Sequence, residues 1–366
     1  MDEININGPV NIVRLEGHIN NGENKIKKII YLFGDVHLPL GLDQNHCIQD
    51  DRIDIDVFLS KIFTKNPNIN YDLFIESPKE NLIRECDITT KNYILNMRDF
   101  VNKNFNLDDK NNVIRSDKYP NVRFHYFDLR NSFNKMFKVL DRLTNYIHSS
   151  LDWRYDLRRN VDILLNDLTI LRTRIDEIVT ILDSNNIKEI KKIRDIKRYK
   201  YEEIYESIID KYNQIEKKLK SIDVQNLKFD IVKRFNKHIK SSKINNYDYV
   251  FDIFQMIYKI SKDIEDETSK LIDLYLIRRF LDKDYINIGI VYAGYAHFSH
   301  ILHILINDFK FVITHSTTDM QDKTKIISYA KSKTAAEFVS YLLNEISINL
   351  YVIQCSQYTN FPKNLN

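Results

Sequence analysis

Cysteine is rare in this sequence, and long apolar runs are missing from it. The three cysteines, Cys47, Cys86 and Cys355, lie far apart and lack Cys-x-x-Cys spacing. We therefore expect free thiols in a reducing compartment rather than a disulfide framework. No stretch approaches the roughly 20 apolar residues that a membrane-spanning helix needs. The polar, acidic N-terminus is unlike a signal peptide. These absences predict a cytoplasmic protein without a membrane span.

The sequence also has no large excess of charge of one sign. It contains 54 lysines and arginines and 51 acidic residues, for a net charge of +3. This balance argues against a nucleic-acid partner. The basic run at 187–200 has isoleucines at helical spacing, which indicates a solvated helix face. The sequence contains no Gly-x-Ser-x-Gly, Walker or Gly-x-Gly-x-x-Gly motif. A serine nucleophile on a strand-to-helix turn and the common nucleotide folds are therefore not expected.

Glycine is scarce as well, with 7 among 366 residues. Two of these glycines, Gly34 and Gly294, follow apolar strand-like runs and are followed three residues later by His37 and His297. A glycine at the end of a strand lets the backbone turn sharply and approach a ligand closely. The paired Gly-x-x-His motifs therefore indicate a functional site.

The hydrophobic pattern predicts an α/β fold with a mostly parallel β-sheet core, flanking helices and a large helical insertion. Strand-like and helix-like segments alternate in the first part of the chain, and long runs at helical spacing follow. We expect helix breaks near Asn245 and Lys262 and a strand at 348–354. The predicted boundaries are 1–130 for the N-terminal half of the core, 131–265 for the insertion and 266–366 for the C-terminal half.

Several candidate site residues follow predicted strands. Asp35 and His37 follow the first strand, Glu76 the second, Arg130 the third and His297 the fourth. Because the carboxyl ends of parallel strands share one edge of a sheet, we expect these side chains to converge there. Each residue alone also has a structural interpretation, such as a backbone hydrogen bond or a salt bridge.

This residue set predicts a divalent metal site. Two neutral imidazoles (His37 and His297) with the carboxylate of Glu76 suit zinc, manganese, cobalt or iron, and the identity of the metal stays open. A metal-bound water has a lowered pKa and becomes a nucleophile at neutral pH. Arg130 is placed to bind an anionic group or a developing oxyanion.

The motifs resemble those of the erythromycin esterase, ChaN and TraB/Tiki group. Members have a strand followed by Gly-Glu/Asp/Thr-x-His, then a strand that ends in glutamate, and later a second strand with Gly-x-x-His. Here these are Gly34 to His37, 72–76 and Gly294 to His297. An Asp-x-Tyr-x-x-Arg helix, Asp273 to Arg278, precedes the last strand. The same ending resembles giant-virus proteins of unassigned role. The chain departs from the group at Asp35, where many members have glutamate.

The resemblance implies a metal-dependent hydrolase of an ester or amide bond, acting on a small-molecule or peptide substrate. Asp35 is then a ligand or general base, and Arg278 or Arg130 stabilises the oxyanion. The alternatives are a non-catalytic protein that binds haem or another ligand, with Tyr275 as a candidate axial ligand, and a structural protein. A structural protein of viral origin could belong to the virion, whereas an enzyme would act in the host cytoplasm. A metallophosphoesterase is a minor alternative, because only its Asp-x-His motif is present. The oligomeric state is not predicted.

Overall fold

The computed structural model of the 366-residue chain describes 14 stretches of it: residues 4–21, 24–38, 52–77, 92–106, 114–148, 157–183, 200–239, 247–317, 323–334, 337–338, 340–342, 354–358, 361–362 and 364–365. The chain divides into two compact units. Met1–Asp128 and Asp273–Asn366 form the sheet unit, and Leu129–Ile272 forms the helical unit. The sequence predicted boundaries after residues 130 and 265, and the two units divide after residues 128 and 272.

The sheet unit is an α/β structure built on a mixed sheet. Its described strands are β1 (Ile4–Asn7), β2 (Asn11–Asn21), β3 (Asn24–Asp35), β4 (Arg52–Asp54), β5 (Tyr71–Ile75), β6 (Ile114–Arg115), β7 (Val122–Tyr126), β8 (Ile288–Gly294), β9 (Val312–Ser316) and β10 (Cys355–Tyr358). Seven of them form one sheet in the order β6-β7-β5-β8-β3-β2-β9. The four central strands β7, β5, β8 and β3 are parallel to one another, while β6, β2 and β9 pair antiparallel with their neighbours.

The central strands are covered on both faces, as expected of parallel strands in an α/β protein. Every residue of β8 and of β5 is buried. This explains why β8 reads as a continuous apolar run instead of an alternating pattern. In β5 the run is interrupted by the buried Asp72, which pairs with Arg123 and His125. The register aligns Asp35 at the end of β3 with Gly294 at the end of β8. The ends of the two Gly-x-x-His strands are therefore direct neighbours.

The hairpin of β2 and β3 was not part of the sequence prediction, which placed only the second of these strands. The two strands pair antiparallel from Asn11↔Gly34 to Asn21↔Asn24. The sequence signal for the hairpin is Gly22, because glycine is common at the first position of a two-residue hairpin connection.

In the described part of the sheet unit, the helices that flank the strands include α1 (Ile55–Lys65), α2 (Tyr93–Asn104), α8 (Tyr295–Asn307) and α9 (Lys323–Ser332). Helices α1 and α2 contribute apolar side chains, including Phe63 and Met97, to the core beside β5 and β8. The N-cap residue of α2, Asn92, accepts a hydrogen bond from the N–H of Leu95. This side-chain acceptor pairs one of the N–H groups that a helix start leaves unpaired.

The helical unit contains a 3-10 helix (Arg130–Phe133) and the helices α3 (Asn134–His148), α4 (Leu157–Asp183), α5 (Tyr201–Lys220), α6 (Val224–Ile239) and the first part of α7 (Tyr247–Asp282). A hydrogen bond of 2.5 Å between the hydroxyls of Tyr212 and Thr268 joins α5 to α7. The predicted break near Lys262 is wrong, because α7 is continuous there. The charged side chains around Lys262 form solvent-facing pairs such as Lys262–Glu265, which a helix accommodates. The other predicted break, near Asn245, lies outside the described residues.

The last ten residues of α7, from Asp273, belong to the sheet unit. The buried Lys28 of β3 binds the carbonyls after this helix: its Nζ donates to Lys283 at 2.7 Å and also to Ile286. A lysine suits the carbonyl-rich end of a helix. Burial lowers the pKa of Lys28 to about 8, although the nearby Asp284 and Asp72 oppose the shift. The contact fixes the end of α7 against the sheet.

A second, three-stranded sheet joins the two ends of the chain. Strand β1 pairs parallel with β4 and antiparallel with β10, which begins at Cys355. The predicted strand at 348–354 lies mostly outside the described residues. Cys355 is disulfide-bonded, which corrects the expectation of three free thiols. Because folding brings distant cysteines together, spacing along the sequence does not exclude such a bond.

Within the described stretches, we find no helix with the length and apolar character needed to cross a membrane.

A carboxylate and histidine cluster as the candidate site

The turn after β3 folds His37 back onto Asp35. Asp35 ends the strand and is fully buried. The backbone N–H of His37 donates to Asp35 Oδ1 at 2.7 Å, and the ring Nδ1 lies 3.3 Å from Asp35 Oδ2. The φ of His37 is 56°, in the left-handed region that few residues other than glycine adopt. Such backbone strain, of order 1–3 kcal/mol, is concentrated at functional sites.

Glu76 directly follows β5 and faces both histidines of the motifs. Its Oε2 lies 3.9 Å from His37 Nε2, and its Oε1 lies 3.4 Å from His297 Nε2. The backbone N–H of Glu76 donates to the carbonyl of Tyr292 at 3.1 Å, which extends the pairing of β5 with β8 by one residue. The strand register therefore sets the position of this carboxylate.

Gly294 lies between these groups, at the end of β8. Its N–H donates to Glu76 Oε2 at 2.6 Å. A β-carbon on Gly294 would lie 2.7 Å from His37 Nε2 and 3.0 Å from Glu76 Oε2. Its φ of −57° and ψ of 149° are open to other residues. The site therefore needs glycine here for space and not for backbone conformation.

A single carboxylate on α7 binds both buried histidines of α8. Asp273 Oδ1 lies 2.6 Å from His297 Nδ1, and Asp273 Oδ2 lies 2.7 Å from His300 Nδ1. His297 and His300 are one helical turn apart, so their rings share a face of α8. Asp273 is fully buried, and both histidines are less than one-tenth exposed.

The surroundings of the buried His297 favour its positively charged form. Burial disfavours the charged imidazole, but the carboxylates of Asp273 and Glu76 outweigh this effect and raise the pKa of His297 well above its ordinary value. The imidazolium thus faces a carboxylate at each ring nitrogen. Its charge compensates the burial of these acidic groups.

His37 is the solvent-facing member of the cluster. Its side chain is 37% exposed, against 0% for Asp35 and 5% for Glu76. Asp35 is held by Tyr292, whose hydroxyl donates to Oδ2 at 2.9 Å, and by Gln354, whose Nε2 donates to Oδ1. An exposed imidazole supported by a rigid, buried carboxylate is the arrangement of an oriented general base.

The structure thus brings together Asp35, His37, Glu76 and His297. Tyr275 is buried and accepts a hydrogen bond of 3.1 Å from Arg279. The guanidinium of Arg278 lies over the Tyr275 ring and 3.7 Å from Asp282. Arg130 is half-buried in the 3-10 helix of the helical unit. Roles for Tyr275, Arg278 and Arg130 in the site stay predictions.

Asp273 and Arg278 lie on different faces of α7. Arg278 is five residues after Asp273, which corresponds to about 140° around a helix with 3.6 residues per turn. Tyr275 and Arg278 share one face of the helix, as their spacing predicts, because the guanidinium of Arg278 lies over the Tyr275 ring. Asp273 lies on another face. Because Asp273 contacts the site histidines, it is the residue of the Asp-x-Tyr-x-x-Arg motif that enters the cluster.

The predicted metal ligands His37, Glu76 and His297 lie close together, with their nitrogen and oxygen atoms 3.4 and 3.9 Å apart. Among the residues that the structure describes, no group of three or more histidine, cysteine, aspartate or glutamate side chains could hold a metal ion. A histidine ligand must offer a neutral nitrogen lone pair, whereas His297 faces carboxylates with both of its nitrogens. A divalent metal stays a prediction.

Sequence reasoning missed four members of the cluster: Asp273, Tyr292, His300 and Gln354. Two of them had a sequence signal. Asp273 opens the Asp-x-Tyr-x-x-Arg motif, and His300 is one helical turn after His297. Gln354 had none, because only the pairing of β1 with β10 brings it to the site.

Fold and site define an α/β protein with a buried carboxylate and histidine cluster at the ends of its parallel strands. The chain belongs to the family of unknown function DUF5847, whose model matches residues 4–207 and 202–366.

Similar proteins come from Acanthamoeba polyphaga mimivirus. Uncharacterized protein R161 is 28% identical over 99% of this chain and 98% of its own length, and Uncharacterized protein R160 is 27% identical over 98% and 96%. Uncharacterized protein R129 is 33% identical over 47% of this chain and 96% of its own. The expected similarity to giant-virus proteins is confirmed. No solved structure matches the chain.

Proposed function

We propose that this protein is a hydrolase of an ester or amide bond, with His37 as the general base that activates a water molecule. The observation that carries the proposal is the geometry of His37. Its Nδ1 lies 3.3 Å from the fully buried Asp35, and 37% of its side chain is exposed. The resemblance of the motifs to the erythromycin esterase, ChaN and TraB/Tiki group supports the same class of reaction.

Asp35 orients the base. A carboxylate beside Nδ1 favours the tautomer with its proton on that nitrogen, so that Nε2 carries no proton and can accept one. Nε2 then takes a proton from water as the water oxygen attacks the carbonyl carbon, and the C=O π electrons move to the oxygen to give a tetrahedral oxyanion. When the C=O bond re-forms, the bond to the alcohol or amine breaks, and the His37 imidazolium gives its proton to this leaving group. Proton transfer by a positioned side chain typically contributes 10²–10⁴-fold to a rate.

Glu76 is the second group that can bind the attacking water. Its Oε2 lies 3.9 Å from His37 Nε2, which is too long for a direct hydrogen bond but close enough for both atoms to contact one water molecule. The N–H of Gly294 and the imidazolium of His297 hold the carboxylate in place. As His37 gains a proton, the negative charge of Asp35 and Glu76 stabilises the new imidazolium.

The experiment compares wild type with His37→Gln against a panel of carboxylic esters, amides and short peptides. We expect turnover of at least one substrate and a loss of roughly 10²-fold or more in kcat for His37→Gln. His18→Gln is the matched control, because His18 is an exposed histidine on β2. Absence of turnover across the panel, or equal losses in both variants, would overturn the proposal. A phosphoester in the same panel tests the metallophosphoesterase alternative.

Metal and haem stay predictions that the same protein preparation can test. Metal content is measured for wild type as purified and for the His37→Ala/His297→Ala double variant, and haem binding is followed by its absorption band. Near-stoichiometric metal that disappears in the double variant would make the hydrolase metal-dependent. A haem band without turnover would favour the ligand-binding alternative.

A further inference from the structure

Asp35 has more polar neighbours than the orientation of one histidine requires. Oδ1 accepts from the N–H of His37 and from Gln354 Nε2, while Oδ2 accepts from the hydroxyl of Tyr292. The fourth neighbour is His37 Nδ1, 3.3 Å from Oδ2. Because Asp35 is fully buried, these donors replace the water that a carboxylate would otherwise bind. Both the charge and the orientation of Asp35 therefore depend on them.

The amide of Gln354 can have only one orientation. Its nitrogen faces Asp35 Oδ1 and, at 3.3 Å, the carbonyl of Gly8. Both partners are acceptors, so the NH₂ group has to point at them. The other end of the amide, Oε1, is buried and has no hydrogen-bond partner in the described part of the chain. An unpaired buried acceptor disfavours folding, so apolar packing alone does not explain a glutamine at this position.

The chain around Gln354 is tightly held. Its carbonyl accepts from the N–H of Gly8 at 3.0 Å. Two residues later, the hydroxyl of Ser356 donates to the carbonyl of Pro9 at 2.8 Å, and β10 pairs with β1. Gln354 and Ser356 are both fully buried. The C-terminal part of the chain thus presents a rigid amide donor to a carboxylate 319 residues earlier.

We infer that Gln354 is a positioning residue of the site. With Tyr292 it fixes the Asp35 carboxylate so that Oδ2 faces His37 Nδ1, which sets the tautomer of His37 and leaves Nε2 as the acceptor. The consequence for catalysis rests on the proposed hydrolase function. The consequence for the His37 tautomer does not, and it can be measured without a substrate.

The test uses full-length protein with Gln354→Met, which keeps the volume of the side chain and removes its donors. Gln354→Glu is the second variant, because it keeps the shape and replaces the donor with an acceptor. Ser356→Ala is the matched control: it removes one buried hydrogen bond from β10 to the N-terminal segment and leaves the contacts of Asp35 intact. The first readout is the ¹⁵N chemical shifts of the His37 imidazole, which report the nitrogen that carries the proton. The signal of His37 is assigned by its loss in His37→Gln.

We expect wild type and Ser356→Ala to have the Nδ1–H tautomer of His37, and both Gln354 variants to shift toward a mixture with Nε2–H. On a substrate of the wild type, Gln354→Met should lower kcat roughly tenfold or more, with KM changed by less than about threefold. Unchanged ¹⁵N shifts in both Gln354 variants, or the same shifts in Ser356→Ala, would overturn the inference. If the wild type has no substrate, the proposed function fails, but the tautomer measurement still decides the role of Gln354.

Discussion

Asp273 Oδ1 lies 2.6 Å from His297 Nδ1, although the two residues are 24 positions apart and belong to different helices. This pair joins α7 to the first turn of α8, and through His297 it reaches Glu76 and the strand ends. The site is thus supported by a chain of buried charges, and each member has a partner of opposite sign. This cluster and the buried His125 on β7 lead to testable predictions.

Asp273→Asn should strongly destabilise the protein, because it leaves the His297 imidazolium with a single carboxylate in a buried position. Breaking a buried ion pair by removing one partner costs about 3–5 kcal/mol. The measurement is the free energy of unfolding in urea. Asp162→Asn is the control, since Asp162 pairs with Lys228 at an exposed position. A loss for Asp273→Asn no larger than that of the control would contradict the buried charge pair.

The raised pKa of His297 makes stability depend on pH above neutrality. In the unfolded chain a histidine titrates near pH 6.5, whereas Asp273 and Glu76 raise the pKa of His297 in the fold, against the effect of burial. The stabilisation is complete below about pH 6.5 and is lost as pH rises toward the folded-state pKa. Urea unfolding from pH 6 to 9 should therefore show falling stability in wild type and a flatter profile in His297→Gln. Parallel profiles would show that His297 does not bind the extra proton.

His125 should have the opposite effect at acid pH. Burial lowers the pKa of His125 to about 4, although its hydrogen bond to Asp72 opposes the shift. The fold therefore favours the neutral ring, and stability is lost as pH falls from about 6.5 toward 4. The shift corresponds to about 3 kcal/mol. The same unfolding measurements from pH 7 to 4 should show a weaker loss in His125→Gln than in wild type, and an equal loss would disprove the assignment.

Gly294→Ala should damage the site more than the fold. The added β-carbon would lie 2.7 Å from His37 Nε2, so the imidazole has to move. Gly289→Ala on the same strand is the control, because its β-carbon would meet the ring of Phe280 at 2.9 Å, in the core. We expect Gly294→Ala to lose hydrolase activity while keeping most of its stability. Gly289→Ala should lose about 1–3 kcal/mol through overpacking and keep its kcat. If the two variants had the same hydrolase activity, the prediction that Gly294 makes room for the site would be wrong.

Local patterns were enough to predict the central part of the fold. Apolar runs that end in Gly34 and Gly294 predicted β3 and β8, and alternation with helical spacing predicted the α/β class, which is confirmed. The outer strands were harder to predict. Strand β2 alternates only in part, and the sequence signal for its pairing with β3 is Gly22 more than its own pattern.

The sequence by itself determined that Asp35, His37, Glu76 and His297 follow strands, and the shared edge of parallel strands then brings them together. Tertiary structure alone decided which groups support them. Asp273 enters the cluster because of the rotation of α7 against α8. Gln354 reaches Asp35 because β10 pairs with β1. Rotation and strand pairing depend on packing between distant segments, and the short-range periodicity of a sequence does not encode that packing.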